Sequence, residues 1–131
     1  MASVPLVTKE QAGETARAVF EDIMQTRKVD DVNNFWKALA NSPELLQQVW
    51  SQVQQTMRPG ALDALTKELI YVAVSAVNNC AYCVHSHTAA AKAKGMTAEQ
   101  HAELLAVIAL ASQTNALANS MQVPVDEQFK V

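Results

Sequence analysis

Glu68 and the run Asn79-Cys80-Ala81-Tyr82-Cys83-Val84-His85-Ser86-His87 bring both cysteines of this chain, a histidine and an upstream carboxylate into one short stretch. That combination of residue types points to thiol redox chemistry. On a helix, Cys80, Cys83 and His87 stand at i, i+3 and i+7, so their side chains share a face and the two sulfurs come close enough to bond. His85 lies two residues from both Cys83 and His87, about 200° around the helix, and points away. A thiol reacts as its thiolate, and an ordinary pKa of ~8.5 leaves only a few per cent ionised at neutral pH. If Asn79 caps the helix, Cys80 sits in its first turn, where unpaired backbone N–H groups and the helix dipole stabilise an anion. His87, one turn beyond Cys83, is placed to take the Cys83 proton directly or through a water. Glu68 on the preceding segment can orient His87 if the two helices form a hairpin.

These influences favour different sulfurs. Nearness to the helix end selects Cys80 and is typically worth ~0.3–1 kcal/mol, less than one pKa unit. An adjacent base selects Cys83 and is worth ~10²–10⁴-fold in rate. Cys83 is therefore the expected nucleophile. Other uses of the pair are graded by spacing. A c-type haem site needs histidine directly after the second cysteine, where Val84 stands. Cys80, Cys83 and His87 could supply three zinc ligands, but a closed structural site wants four, and there is no second Cys-x-x-Cys. A thioredoxin-like motif expects a preceding strand and a βαβ pattern, and neither is present.

The elements that must position these residues read as helices almost throughout. Thr8-Lys9-Glu10-Gln11 has the form of a capping box, followed by Ala16, Val19, Phe20, Ile23 and Met24 at helical spacing, which predicts a first helix to about Lys28. Asn33 can cap a short helix carrying Phe35, Trp36 and Leu39, and Ser42-Pro43 starts another with Leu45, Leu46, Val49, Trp50, Val53 and Met57 on its apolar face. Pro59-Gly60 ends it. A long helix over about 62–77 is apolar nearly all round, as befits a helix covered on several sides. The cysteine helix runs from Cys80 to about Lys94 with Gly95 as its stop, and Thr97-Ala98-Glu99-Gln100 repeats the capping-box form before a last helix to about Asn119. The tail after Val123-Pro124 reads as extended. The expectation is an all-α fold of about six helices in a single domain over 1–131, with a motif core at 62–119, an N-terminal helical extension at 1–41 and a tail at 123–131.

Outside the cysteine stretch the residues read as structure. Trp36 and Trp50 are core or interface anchors, Met57, Met96 and Met121 are packing, Ser75 is a helix serine bonded back to its own backbone, and Lys67, Lys92 and Lys94 form a solvated face. A formal net charge of -3, with no basic run, leaves no footprint for nucleic acid. The longest apolar runs, at 70–77 and 104–111, fall short of the ~20 residues that span a bilayer. With no apolar signal segment in its first twenty residues, the protein is expected in the cytoplasm, without nucleic-acid or membrane partners. In a reducing compartment a Cys-x-x-Cys pair is a redox dithiol or a metal half-site more readily than a staple.

Glu68, Ser75, Asn79, Cys80, Tyr82, Cys83 and His87 in this spacing, followed by Gly95, resemble the alkyl hydroperoxidase AhpD-like branch of the carboxymuconolactone decarboxylase family. The resemblance covers about 42–119 and implies an all-helical fold. It also implies a peroxidase in which Cys83 attacks a hydroperoxide, Cys80 resolves the resulting sulfenic acid as a disulfide, and Glu68 and His87 relay the proton. The reductant would be a dithiol partner such as a lipoylated protein or a thioredoxin-type protein, with no cofactor. AhpD has a histidine between its cysteines where this chain has Tyr82, so one arm of that relay is missing. The decarboxylase branch lacks the cysteine pair, which makes lactone decarboxylation the weaker expectation. A redox sensor switched by the same dithiol is the main rival reading, and a zinc-stabilised module a third. The family and the excess apolar surface of two helices together suggest a homo-oligomer, a hexamer in preference to a trimer.

Overall fold

The computed structural model describes residues 1–131 and contains six α-helices, one 3₁₀ turn and no strand. The helices are α1 (Glu14–Arg27), α2 (Asn34–Leu39), α3 (Pro43–Met57), α4 (Ala64–Val77), α5 (Ala81–Ala93) and α6 (Ala98–Met121). The all-helical expectation holds. The chain divides into two compact units, Met1–Arg58 and Pro59–Val131, and the division falls where Pro59-Gly60 ends a helical pattern.

The first unit holds the contiguous hydrophobic core. Ala16, Val19, Phe20 and Ile23 of α1 pack with Trp36 of α2 and Leu46 and Trp50 of α3, all buried. The tryptophans are core residues, as their type suggests. Their rings meet edge to face with centroids 5.4 Å apart, and the Arg27 guanidinium lies 5.5 Å from one ring and 5.2 Å from the other. The Trp50 indole N–H donates to Asp22 at 2.6 Å, which satisfies the one polar atom that this burial would otherwise strand. An open groove beside these helices is lined by Glu14, Asp22, Gln47 and Gln54 among others.

The start of α1 differs from its sequence signal. Thr8 and Gln11 do make the reciprocal bonds of a capping box, Thr8 N–H to Gln11 Oε1 at 3.1 Å and Gln11 N–H to Thr8 Oγ1 at 3.4 Å. They close a single turn. Gly13 is extended at ψ 176° and caps the helix proper, which begins at Glu14.

In the second unit α4 packs against α5 as a hairpin and also against α6. Asp63 caps α4 by accepting the Thr66 N–H at 2.7 Å, and Thr97 and Gln100 form the expected capping box of α6. Two tight turns set the ends of α5. At its C-terminus Gly95 takes φ 96°, the Gly95 N–H bonds to Lys92 and the Met96 N–H to Ala91, the double bond of a Schellman motif. Ala91 and Met96, the positions whose apolar contact usually accompanies the motif, are both buried. Met96 is thus packing, whereas Met121 at the end of α6 is 66% exposed, against expectation. The tail beyond α6 is exposed and includes a 3₁₀ turn at Glu127–Phe129.

α6 brings a second correction. Its 24 residues are long and apolar enough, by length and composition, to cross a membrane, although the shorter runs within it suggested otherwise. None of them is buried. Counting only unbroken apolar runs missed a helix whose scattered polar residues leave the whole apolar.

Candidate active site

The turn between α4 and α5 places the cysteines. Asn79, expected as the cap of α5, instead adopts the left-handed conformation at φ 58° and closes α4. The Asn79 N–H bonds to the Ala76 carbonyl at 3.2 Å and the Cys80 N–H to the Ser75 carbonyl at 2.9 Å, a second Schellman motif with asparagine in the position usually held by glycine. Cys80 is therefore the N-cap of α5, not a residue of its first turn. Its carbonyl accepts the Val84 N–H at 2.9 Å and its sulfur accepts the Cys83 N–H at 3.3 Å. Cys80 is held through its N–H, its carbonyl and its side chain at once.

Cys83 follows in the first turn of α5, with its Cα 5.3 Å from that of Cys80, and the two sulfurs are joined as a disulfide. Their three-residue spacing, nearly one helical turn, provides this separation, inside the usual 4.4–6.8 Å range. Tyr82 and His85 are exposed on either side of Cys83.

The hairpin brings Glu68 of α4 to His87 of α5, Oε2 to Nδ1, at 2.7 Å. Glu68 is 5% exposed, yet both its carboxylate oxygens are engaged, since Oε1 accepts from Lys94 Nζ at 3.0 Å. Burial by itself would push the Glu68 carboxyl up. The hydrogen bonds from His87 and Lys94, with the Lys94 charge, outweigh it and hold the carboxyl below the ordinary carboxylate range. Glu68 is then ionised at neutral pH and can only accept, so His87 Nδ1 carries a proton and Nε2 is the nitrogen left to act as a base. Tyr71 covers the imidazole, stacked with centroids 3.5 Å apart and planes inclined by 17°. The Glu68–His87 pair and the disulfide are not hydrogen-bonded to each other in this oxidised form.

Sequence reasoning anticipated Cys80, Cys83, Glu68 and His87 and missed two neighbours. Lys94, read as part of a solvated face, is an ion-pair partner of Glu68. Its signal was its place seven residues after His87, two turns along the same face of the helix. Tyr71 stands three residues after Glu68 and was likewise on the right face of α4. Ser75 is back-bonded, Oγ to the Tyr71 carbonyl at 2.7 Å, and it serves the turn through its own carbonyl. Cys80, Cys83 and His87 do not converge on a point that could hold a metal ion, nor does any other trio of histidines, cysteines and carboxylates.

Comparison with known proteins agrees with this geometry. The model of the carboxymuconolactone decarboxylase family matches residues 43–126. The crystal structure of an alkylhydroperoxidase AhpD core from Rhodospirillum rubrum superposes with a TM-score of 0.95 at 57% identity, over 100% of this chain and 98% of that one. An uncharacterised protein from the cox locus of Paracoccus denitrificans is 41% identical over 70 residues, which are 52% of this chain and 63% of the relative. The match thus spans less than two thirds of that relative's length.

Proposed function

The chain belongs to the carboxymuconolactone decarboxylase family, with an AhpD-like fold, and on that footing we propose that it is a thiol-dependent peroxidase working through the Cys80–Cys83 dithiol. In the reduced protein the Cys83 thiol gives its proton to His87 Nε2, directly or through a water. The thiolate then attacks the outer oxygen of a hydroperoxide, the O–O bond breaks, and the alkoxide takes up a proton to leave as an alcohol. Cys83 is now a sulfenic acid. Cys80, already pinned one turn away, attacks that sulfur, expels water and forms the disulfide. A dithiol reductant returns both cysteines to thiols and is itself oxidised to a disulfide.

One observation carries the reading. The two cysteines are paired at the start of the same helix whose His87 is held by a buried, ionised Glu68. A nucleophile, a resolving thiol and an oriented base are what peroxide reduction needs. The name of the Rhodospirillum rubrum neighbour, an alkylhydroperoxidase, points the same way. We place the activity in the cytoplasm, where a dithiol reductant would keep the pair cycling, and in a homo-oligomer.

Peroxide consumption by the reduced protein, followed with dihydrolipoamide and with reduced thioredoxin as alternative electron donors, tests the proposal. Sustained turnover with either donor is expected. Consumption that stops at one peroxide per chain with both donors would instead identify a redox sensor that reacts once.

A further inference from the structure

A buried carboxylate next to an imidazole raises a difficulty for the proposed base. Left with His87 as its sole partner, Glu68 would have its charge compensated only by a protonated imidazole, because an uncompensated buried charge is costly. A protonated His87 has no lone pair on Nε2 and cannot accept a proton from a thiol. The second cation changes this balance. Lys94 Nζ lies 3.0 Å from Oε1 while His87 Nδ1 lies 2.7 Å from Oε2, so the carboxylate is neutralised on one oxygen and hydrogen-bonded on the other. We infer that Lys94 is a positioning residue that neutralises Glu68 and thereby leaves His87 free to act as the base. The inference rests on the peroxidase reading for its use, but not for its physics.

The surroundings make Lys94 the group to consider. α5 presents only His87 and Lys94 to the carboxylate, and α4 itself adds Tyr71 over the imidazole face. α6, also packed on α4, carries Glu99, His101 and Glu103 as its titratable side chains, and none of them is bonded to Glu68. Lys94 is the C-cap of α5, immediately before left-handed Gly95, so the Schellman turn fixes where its side chain starts. Lys92, two residues earlier, makes no bond to Glu68.

The test reads the imidazole and requires no peroxide. In the disulfide form neither cysteine titrates, and the His87 ring resonance can be followed by NMR through pH, assigned by its loss in His87→Ala. Lys94→Met should move the His87 midpoint upward by about one pH unit, a tenfold gain in proton affinity, as expected when one nearby charge of the same sign as the imidazolium is removed. Lys94→Gln keeps a donor without the charge and should shift it equally, which also covers a Met variant that folds poorly. Lys94→Arg and Lys92→Met should leave the wild-type midpoint in place. An unmoved midpoint in both neutral variants, an equal shift in Lys92→Met, or failure of arginine to restore it would overturn the inference. Absence of peroxidase turnover would leave this readout intact, and an unmoved midpoint would leave the peroxidase reading standing.

Discussion

Cys80 and Cys83 compete for the role of nucleophile through different neighbours. The Cys83 N–H points at the Cys80 sulfur, which favours a Cys80 thiolate by a helix-end contribution of ~0.3–1 kcal/mol. Cys83 has His87 one turn along α5, and on the proposed mechanism general-base assistance, typically ~10²–10⁴-fold, is the larger effect. Cys80→Ser is therefore expected to form a sulfenic acid at Cys83 that dimedone traps but that does not cycle, while Cys83→Ser forms none. A peroxide-dependent sulfenic acid on Cys80 of Cys83→Ser at near wild-type rate would invert the assignment. Glu68 makes a second prediction. Burial opposes its charge, and the bonds from His87 and Lys94 more than offset this, so the folded carboxyl lies below its unfolded value. The stability this contributes is present at neutral pH and is lost as pH falls through and below the ordinary carboxylate range. Denaturant unfolding between pH 7 and pH 3 should thus show a shallower acid loss in Glu68→Gln than in the wild type. The cysteine pairing and the placement of His87 on the same helix were legible because helical periodicity sets their spacing. The Glu68 contact was legible only as a condition, that α4 and α5 form a hairpin. Lys94 and Tyr71 depended on how closely those helices pack, which spacing within either one does not determine.

The α4–α5 turn converts sequence into site geometry, and it hinges on Asn79. A non-glycine residue in the left-handed region costs roughly 1–2 kcal/mol, less for asparagine, and Asn79 sits there at φ 58°. Asn79→Gly should preserve or slightly raise stability, and Asn79→Ala should lower it by about 1 kcal/mol in urea titration. Equal stability of the two would show that the turn does not depend on this backbone conformation. The turn also explains a misplaced boundary. Two asparagines suggested a cap for α5, but the bonds to Ser75 and Ala76 spend Asn79 on closing α4 and hand the capping role to Cys80. The two capping boxes make a matching contrast. Thr97 and Gln100 open directly into α6, whereas Thr8 and Gln11 meet extended Gly13, so identical local bonds yield a long helix in one place and a single turn in the other. Thr97→Ala should cost about 1 kcal/mol in the same titration, the usual value of a lost N-cap.

Across the chain, burial is unequal between the two units. The first closes a contiguous core around Phe20, Ile23, Leu46 and the tryptophans. In the second, only Glu68, Val72, Ser75, Ala91 and Met96 are buried, and α6 buries nothing. Val74 is 54% exposed, Val107 63% and Leu110 60%. Fully burying one such side chain stabilises by ~1.5–3 kcal/mol, so these faces of α4 and α6 represent a large unrealised contribution in a single chain. A bilayer or a protein could cover them. α6 also carries Gln113, Asn115 and Asn119, whose amides would need hydrogen-bond partners in hydrocarbon but find them readily at an interface between chains. A homo-oligomer is the covering these residues suit. Light scattering at micromolar concentration should give six times the 14.2 kDa chain, with a trimer the next most acceptable result. Val107→Glu and Leu110→Glu each place a charge on the exposed apolar face of α6, and desolvating it without a partner costs several kcal/mol. Each should shift the mass toward a smaller species without removing the helical signal in circular dichroism. A monomeric wild-type protein at that concentration, or one recovered only with membranes, would show that something other than a second copy covers α6.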